Sequence, residues 1–543
     1  MQKHMNLYIP IRSRSWILYL SIFVLIAVMS SLKYLNLHST VYDMGVYINN
    51  YYMVSEGYWE RLFLSHNQPL GIFWSLSYNF LPTGTVPIFI LIGQAALLTL
   101  PIIGLYRHYG SAPTIAFILY FPLWYNGLFG FHIDHLAVPF LFGFLMMEKK
   151  GAIGFSVLFG FLLALVKEVF ALQAIFCGIY LLFIKKHRIG GIFLTLGSSV
   201  YFFISYVYLI DFFNGVGSVY WHMHTTTVEI SKDIASDYSL IGSYGWLGDS
   251  IHNIFLTILT KPHWIFGEIF TDIGRLQYLF YLFGALGFIP LLRPSILFIT
   301  IPILAISLLS SDPKHYGFTH HYSVGLLIPM IIAFAEGLPS AKKIWKYAKL
   351  KSKWFEPILY SGLLVCHILL SPSPIGRKFY DLKTWNYHYS IYIPTERNQM
   401  IKTAIKTHIP PDPNKVVSAQ NSLNFGYLME RKFIKTFPQG VIEKSKYYRQ
   451  KQTISDFIEF VRTGKRRKIK IENNYSDYVV LDLKRPWFIE DQACQWDVDK
   501  CRNELEFEAT FLELVKKTHK RFSIVFEQDD FVIFKRLNND LSP

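Results

Sequence analysis

Residues 149–188 read KKGAIGFSVLFGFLLALVKEVFALQAIFCGIYLLFIKKHR. The apolar run 152–184 is interrupted only by Lys167-Glu168, and basic clusters bound it at both ends. As one α-helix, at about 1.5 Å per residue, it would be about 50 Å long, well beyond the ~30 Å hydrocarbon core of a bilayer. Both basic ends also want the same side, because cytoplasmic loops concentrate Lys and Arg. A helical hairpin turning at Lys167-Glu168 on the outer side meets both demands. The chain therefore reads as a polytopic α-helical membrane protein.

Working outward, further apolar runs lie at 16–32, 85–106, 111–129, 135–147, 191–210, 276–292, 294–309, 322–338 and 354–370. With the two hairpin arms, 152–166 and 169–184, they predict about eleven transmembrane helices. The first run follows Lys3, Arg12 and Arg14 but meets Lys33-Tyr34 without a small-x-small cleavage site, and so reads as a retained anchor. Arg107, Lys149-Lys150, Lys185–Arg188, Arg293 and the lysine-rich segment 342–353 fall on one side of this scheme. They place the N-terminus in the cytoplasm of a plasma or inner membrane. The run 69–82 is too short to span and reads as an interfacial or re-entrant helix. Of the 543 residues 52 % are hydrophobic, and the positive residues behind the net charge of +15 concentrate between particular apolar runs and in the C-terminal third, which makes the surplus first a topology signal and not a nucleic-acid site. The bilayer is the first implied partner.

Residues 1–370 form the transmembrane domain, with outer loops 33–84, 211–275 and 310–321. Five constellations gather on this outer side. Asp43 stands in Tyr42-Asp-Met-Gly45, and Ser65-His66-Asn-Gln-Pro69 follows in the same loop. His132-Ile-Asp134-His135 opens a later span, Lys167-Glu168 occupies the hairpin tip, and His320-His321-Tyr322 leads into the tenth span. Ionisable side chains at membrane depth are costly and mark function. Each also has a plain structural role: Asp43 as a loop cap, His66 in a turn, His132 and His135 as interfacial anchors, Lys167 with Glu168 as an ion pair. Their convergence on one face favours a shared site, with Asp43 as a general base and the others binding substrate. His132, Asp134 and His321 are candidate ligands for a divalent metal ion, although no strong metal-binding spacing is present. His222-Met-His224 is a weaker pair. There is no Walker loop, dinucleotide fingerprint, nucleophile elbow or Cys-x-x-Cys.

Beyond Pro372-Ser-Pro374 the composition becomes that of a soluble domain, 371–543, which the span count places outside the membrane. An amphipathic helix at 395–408, strands at 415–419, 432–436 and 477–482, a helix at 504–518 and a hairpin at 522–534 predict an extracytoplasmic α/β domain. The basic stretch 462–470 reads first as a solvated loop. Cys494 and Cys501 are candidates for a small disulfide loop, and Cys177 and Cys366 lie inside spans.

Tyr42-Asp-Met-Gly-Val-Tyr47, Ser65-His66…Pro69, Phe131-His132…Ala137-Val-Pro139, Val166-Lys167-Glu168, His321-Tyr322…Pro329 and Val417-Ser-Ala419…Glu430-Arg431…Phe437-Pro438 resemble the DUF2079 membrane proteins, in order along nearly the whole chain. Asp-Met-Gly replaces the usual Asp-Leu-Gly-like element. Such proteins resemble in turn the GT-C glycosyltransferases, multi-span enzymes that use polyprenyl-phosphate sugars. That resemblance implies a GT-C-like fold, a polyprenyl-phosphate-linked sugar donor, an envelope acceptor and Asp43 as catalytic base. Lys167, or else Arg275, would face the departing phosphate; Trp59, Trp74 and Trp221 would stack on sugar, although most such aromatics read first as belt residues at the interface. Two other classes stay open: a transporter or flippase of an envelope lipid or solute, and a non-catalytic envelope assembly protein.

Overall fold

A computed structural model of the protein describes residues 11–63, 66–205, 209, 243–248, 251–384, 386–442, 444–448, 454–463, 471–485, 513 and 515–537. The chain is mostly helical. Among the described residues, four stretches are long and apolar enough to cross a membrane: Arg14–Leu35, Val86–Tyr109, His321–Tyr347 and Ser352–Leu370. Shorter apolar helices occupy Ile153–Ala164, Glu168–Ile184, Arg188–Ile204 and Pro294–Leu309. The third long stretch is the central one, with 72 % of its most apolar window buried against 17 % for the fourth.

The helices that position the site are α1 (Ile11–Leu35), α2 (Val46–Ser55), α3 (Val86–Thr99), α4 (Phe121–Leu128), α5 (Ala137–Lys149), α6 (Ile153–Ala164), α7 (Glu168–Ile179), α8 (Arg188–Ile204) and α9 (Leu327–Tyr347). The run 152–184 breaks at its charged pair: α6 ends at Ala164, Lys167 is extended, and Glu168 opens α7. An acidic first turn suits the positive end of the helix dipole. Next, α7 and α8 approach backbone to backbone, since a Cβ on Gly178 would lie 2.6 Å from the Thr195 nitrogen.

The run 111–129 departs from a single span. It is divided at Tyr120 into Ser111–Leu119 and α4. Pro122 lacks an N–H and its ring would clash with the preceding turn, so it starts a helix and cannot continue one. The run 69–82 is a string of short turns that leaves Phe73 and Phe80 exposed, not one helix. Within the expected outer loop 211–275, residues 251–271 form two more helices, with Phe255, Leu259, Phe266 and Phe270 exposed.

The C-terminal third contains a five-stranded mixed sheet of order β2-β1-β4-β6-β5, where β1 is Val417–Ala419, β2 Ile434–Thr436, β4 Tyr478–Asp482, β5 Phe522–Gln528 and β6 Phe531–Arg536. A separate two-stranded ribbon joins β3 (Ser445–Tyr448) to Ile471–Asn474. Strand β1 runs parallel to β2 and β4, whereas β6 is antiparallel to β4 and β5. The last hairpin turns through Asp529 and Asp530, both in the left-handed region, a conformation that Asp tolerates better than bulkier residues. Helix α10 (Glu396–His408) packs on β5 and β6. It begins at Thr395, whose hydroxyl accepts from the Asn398 N–H at 3.2 Å, and ends on Lys406 and His408, a charge order that matches the helix dipole.

This sheet is fastened to the segment that follows α1. Val41 N–H donates to the Asn421 carbonyl at 2.8 Å, and Asn424 Nδ2 donates to Ser39 Oγ at 3.0 Å. Asn49 Nδ2 reaches the carbonyls of Met429 and Arg431 at 2.8 and 2.7 Å. Arg485 Nη1 donates to the Leu37 carbonyl at 2.8 Å. The loop carrying Asp43 is therefore held from both sides.

Ser65, Trp221, His222, His224, Cys494, Cys501 and most of 462–470 and 504–518 lie outside the described residues.

Candidate functional site

Asp43 sits in a single π-helical turn, Val41–Gly45, placed between α1 and α2. Such turns are rare and recur at functional sites. Thr40 fixes it twice: its hydroxyl donates to Asp43 Oδ2 at 2.6 Å and accepts from the Asp43 N–H at 3.3 Å. The Asp43 side chain remains 37 % exposed. Its surroundings desolvate it and raise its pKa, while the Thr40 hydroxyl and the charges of Lys33 and Lys314 work the other way.

A chain of ionisable groups runs inward from this carboxylate. His132 Nε2 lies 3.8 Å from Asp43 Oδ1. The rings of His132 and His321 stack with centroids 3.6 Å apart and planes 20° apart. His321 Nε2 then lies 3.4 Å from Asp134 Oδ2, and Lys167 Nζ lies 3.6 Å from Asp134 Oδ1. Beside Lys167, Glu168 accepts the Asn67 N–H at 2.9 Å and meets His66 Nδ1 at 2.6 Å. Only the two ends are open: His66 is 34 % exposed, and no side chain between it and Asp43 exceeds 11 %.

Local structure explains this placement. Gly130 takes φ of +145°, which a side chain would strain, and turns the backbone so that Gln94 can clamp it. From α3, Gln94 Oε1 accepts the His132 N–H at 2.9 Å and Gln94 Nε2 donates to the Gly130 carbonyl at 2.8 Å. Phe129 packs against the rings of His132, His320 and His321. Tyr47 meets the edge of His132. Burial lowers the pKa of His132, and the neighbouring His321 adds to the effect.

Of the residues expected to bind substrate, His66, His132, Asp134, Lys167, Glu168 and His321 thus join one network with Asp43. His320 and Tyr322 flank it, stacked on each other, with His320 tilted against Phe129 and Tyr322 against His321. His135 does not join. Its Nδ1 meets the His132 carbonyl at 2.5 Å, and its ring packs on Trp74 and Phe131. It props the turn that aims its neighbours.

The metal expectation has no geometric counterpart: among the described residues no group of three or more His, Cys, Asp or Glu is placed to hold an ion. The stacked rings of His132 and His321 each turn Nε2 to a different carboxylate, so their lone pairs do not converge. Lys167 is committed to Asp134, and Arg275 is engaged by Asp272, the Glu268 carbonyl and the Ser310 carbonyl. Trp74 is buried against Phe89 and Phe131 and presents no face to a sugar.

Several participants escaped sequence reasoning. Lys33 is buried at the end of α1, with Nζ donating to the carbonyls of Leu128 and Phe129 at 3.0 and 3.3 Å and its charge felt at Asp43. A lysine closing an apolar run looks like a membrane flank, and nothing local reveals the carbonyls of a distant loop. Lys314, exposed in the loop before His315, also acts on Asp43. Thr40 left a signal that was not used: a threonine three residues before an acid is a capping arrangement.

The family model described as a predicted membrane protein, DUF2079, matches residues 33–482. The matched segment takes in every group of the network, from Lys33 to His321, and the sheet as far as Asp482. No curated protein and no solved structure matches the chain.

Proposed function

The chain belongs to the DUF2079 family of predicted membrane proteins, and from that premise we propose that it is a glycosyltransferase of the outer membrane face, moving a sugar from a polyprenyl-phosphate donor to an envelope acceptor. The observation that carries this reading is Asp43 itself: an open carboxylate, oriented by Thr40, at the mouth of an otherwise buried ionisable network. A general base needs that combination of access and fixed aim, and it works within about 2.6–3.2 Å of the proton it takes.

In this reaction Asp43 removes the proton of an acceptor hydroxyl. The freed oxygen forms a bond to the anomeric carbon, and the bond from that carbon to the phosphate oxygen breaks, leaving its electron pair on the polyprenyl phosphate. The configuration inverts. Lys314, exposed and acting on the same carboxylate, is better placed than the buried Lys167 to receive the departing phosphate. His66, held by Glu168 at the other open end, would face the sugar or phosphate, and His320 and Tyr322 line the flank.

The groups of the network sit at helix ends and in the turns between helices, which favours chemistry at one face over a transport path. Replacing Asp43→Asn keeps the shape and removes the base. At wild-type protein levels it is expected to lower the yield of the envelope glycan by about 10²–10⁴-fold. A full yield from the Asn variant would contradict the enzymatic reading and point to an assembly role.

A further inference from the structure

We propose that the segment 342–354, where the stretch His321–Tyr347 hands over to Ser352–Leu370, is a docking surface for the headgroups of anionic phospholipids. It reads KKIWKYAKLKSKW, six lysines with no acid among them. Both stretches are long and apolar enough to cross a membrane. At about 1.5 Å per residue the 27 residues of the first are about 40 Å long, beyond the ~30 Å hydrocarbon core. Its last turns, with their lysines, therefore emerge into the headgroup layer. The turn that follows has a fixed shape. Lys349 takes the left-handed region, with φ of 58°, and its N–H closes on the Lys346 carbonyl at 3.0 Å. Trp345 Nε1 donates to the Lys351 carbonyl at 3.2 Å, and its ring meets the edge of Phe355 at the start of the next helix.

Orientation across a membrane needs only a surplus of basic residues on one side, and other basic turns carry theirs partly neutralised. Lys149 meets Glu336 at 3.2 Å, and Lys185 meets the buried Glu148 at 3.0 Å. Within 342–354 only Lys342 is paired with an acid among the described residues, with Glu356 at 2.8 Å. Lys343, Lys346, Lys349, Lys351 and Lys353 are all exposed. Between them Ile344, Tyr347, Leu350 and Trp354 are exposed as well, Tyr347 at 85 %. A turn standing in water gains nothing from that interleaving. At a bilayer boundary, Tyr and Trp settle at headgroup level, and lysine stems lie along apolar surface while their ammonium groups reach phosphates. Basic clusters beside a spanning helix take anionic lipid in this way. The apolar side chains commit the surface to a phosphate carried by a lipid over a free one. This surface lies apart from Asp43 and does not depend on the transfer reaction.

The test is native mass spectrometry of the full-length protein released from nanodiscs that hold phosphatidylcholine in excess over phosphatidylglycerol. The wild type should carry phosphatidylglycerol well above its share of the nanodisc lipid. Lys343→Gln, Lys346→Gln, Lys351→Gln and Lys353→Gln together leave the Lys342–Glu356 pair and the left-handed Lys349 in place. They should lower that retention by at least about fivefold, the worth of a single lysine beside an anionic surface. The same number of charges removed from the C-terminal domain, by Lys406→Gln, Lys516→Gln, Lys520→Gln and Lys535→Gln, should leave it unchanged. If the fourfold variant does not elute as monodisperse protein, Lys351→Glu alone should show the loss. Retention of the two lipids in nanodisc proportion by the wild type would overturn the proposal, as would undiminished retention in the variants of the turn. Equal loss in the control would overturn it too, by making net charge the cause. Displacement by free glycerol 3-phosphate would mark a site for soluble phosphate and likewise overturn it.

Discussion

Thr40 is the smallest lever on the site. Its hydroxyl holds the ionised form of Asp43, so Thr40→Ala should raise the carboxylate's pKa further. A base must be deprotonated to act, so the acidic limb of a pH–rate profile should move to higher pH in Thr40→Ala and return in Thr40→Ser. An unmoved limb would mean that Thr40 only caps the turn. Lys33 shows why a residue's role can be hidden: its burial depends on carbonyls about a hundred positions away, at Leu128 and Phe129. Asp43, His132, Lys167, Glu168 and His321 were legible because each interrupts or borders an apolar run, where an ionisable group is costly. Their pairings were not. Lys167 turns to Asp134 and Glu168 to His66 although they are adjacent, since extended Lys167 and the first helical residue Glu168 point in different directions.

At the scale of elements, the helix break at Lys167 was readable from its two basic flanks, and the strands of the sheet from their short apolar runs. The interruption at Tyr120 was hidden by an unbroken apolar composition, where Pro122 was the sole local sign. The segment between α2 and α3 meets the sheet at Glu430, whose carboxylate accepts from Tyr78 at 3.2 Å and whose pKa burial raises to about 7. A little further on, burial lowers Lys435 in β2 to about 7. The signs oppose. Glu430 binds more protons when folded, so its contribution to stability is lost as pH rises from its unfolded value near 4.5 through 7. Lys435 binds fewer, so its contribution is lost as pH falls from 10.5 through 7. The melting temperature should pass through a minimum near neutral pH. Glu430→Gln should flatten the acidic limb and Lys435→Met the alkaline one. A monotonic curve in the wild type would contradict the burial of these two groups.

For the whole molecule, the sheet, the loop after α1 and the mouth at Asp43 form one continuous body, so they must lie on the same side of the membrane. From the charge asymmetry of the loops, we propose that this side is the outer one. Single cysteines at Asn414 and at Lys149, on the Cys177→Ala, Cys366→Ala, Cys494→Ala, Cys501→Ala background, give a direct check with a membrane-impermeant thiol reagent on intact cells or spheroplasts. The first should label and the second should not. The reverse pattern would invert the topology and move the site to the cytoplasm.

The central claim is that Asp43 acts on a sugar carried by a polyprenyl phosphate. Mass spectrometry of the lipids retained by gently purified protein, wild type beside Asp43→Asn, tests it most directly. The expected result is a polyprenyl-phosphate sugar enriched over bulk lipid, and more of it in the variant, which binds donor but does not consume it. Bulk phospholipid alone in both samples would contradict the claim.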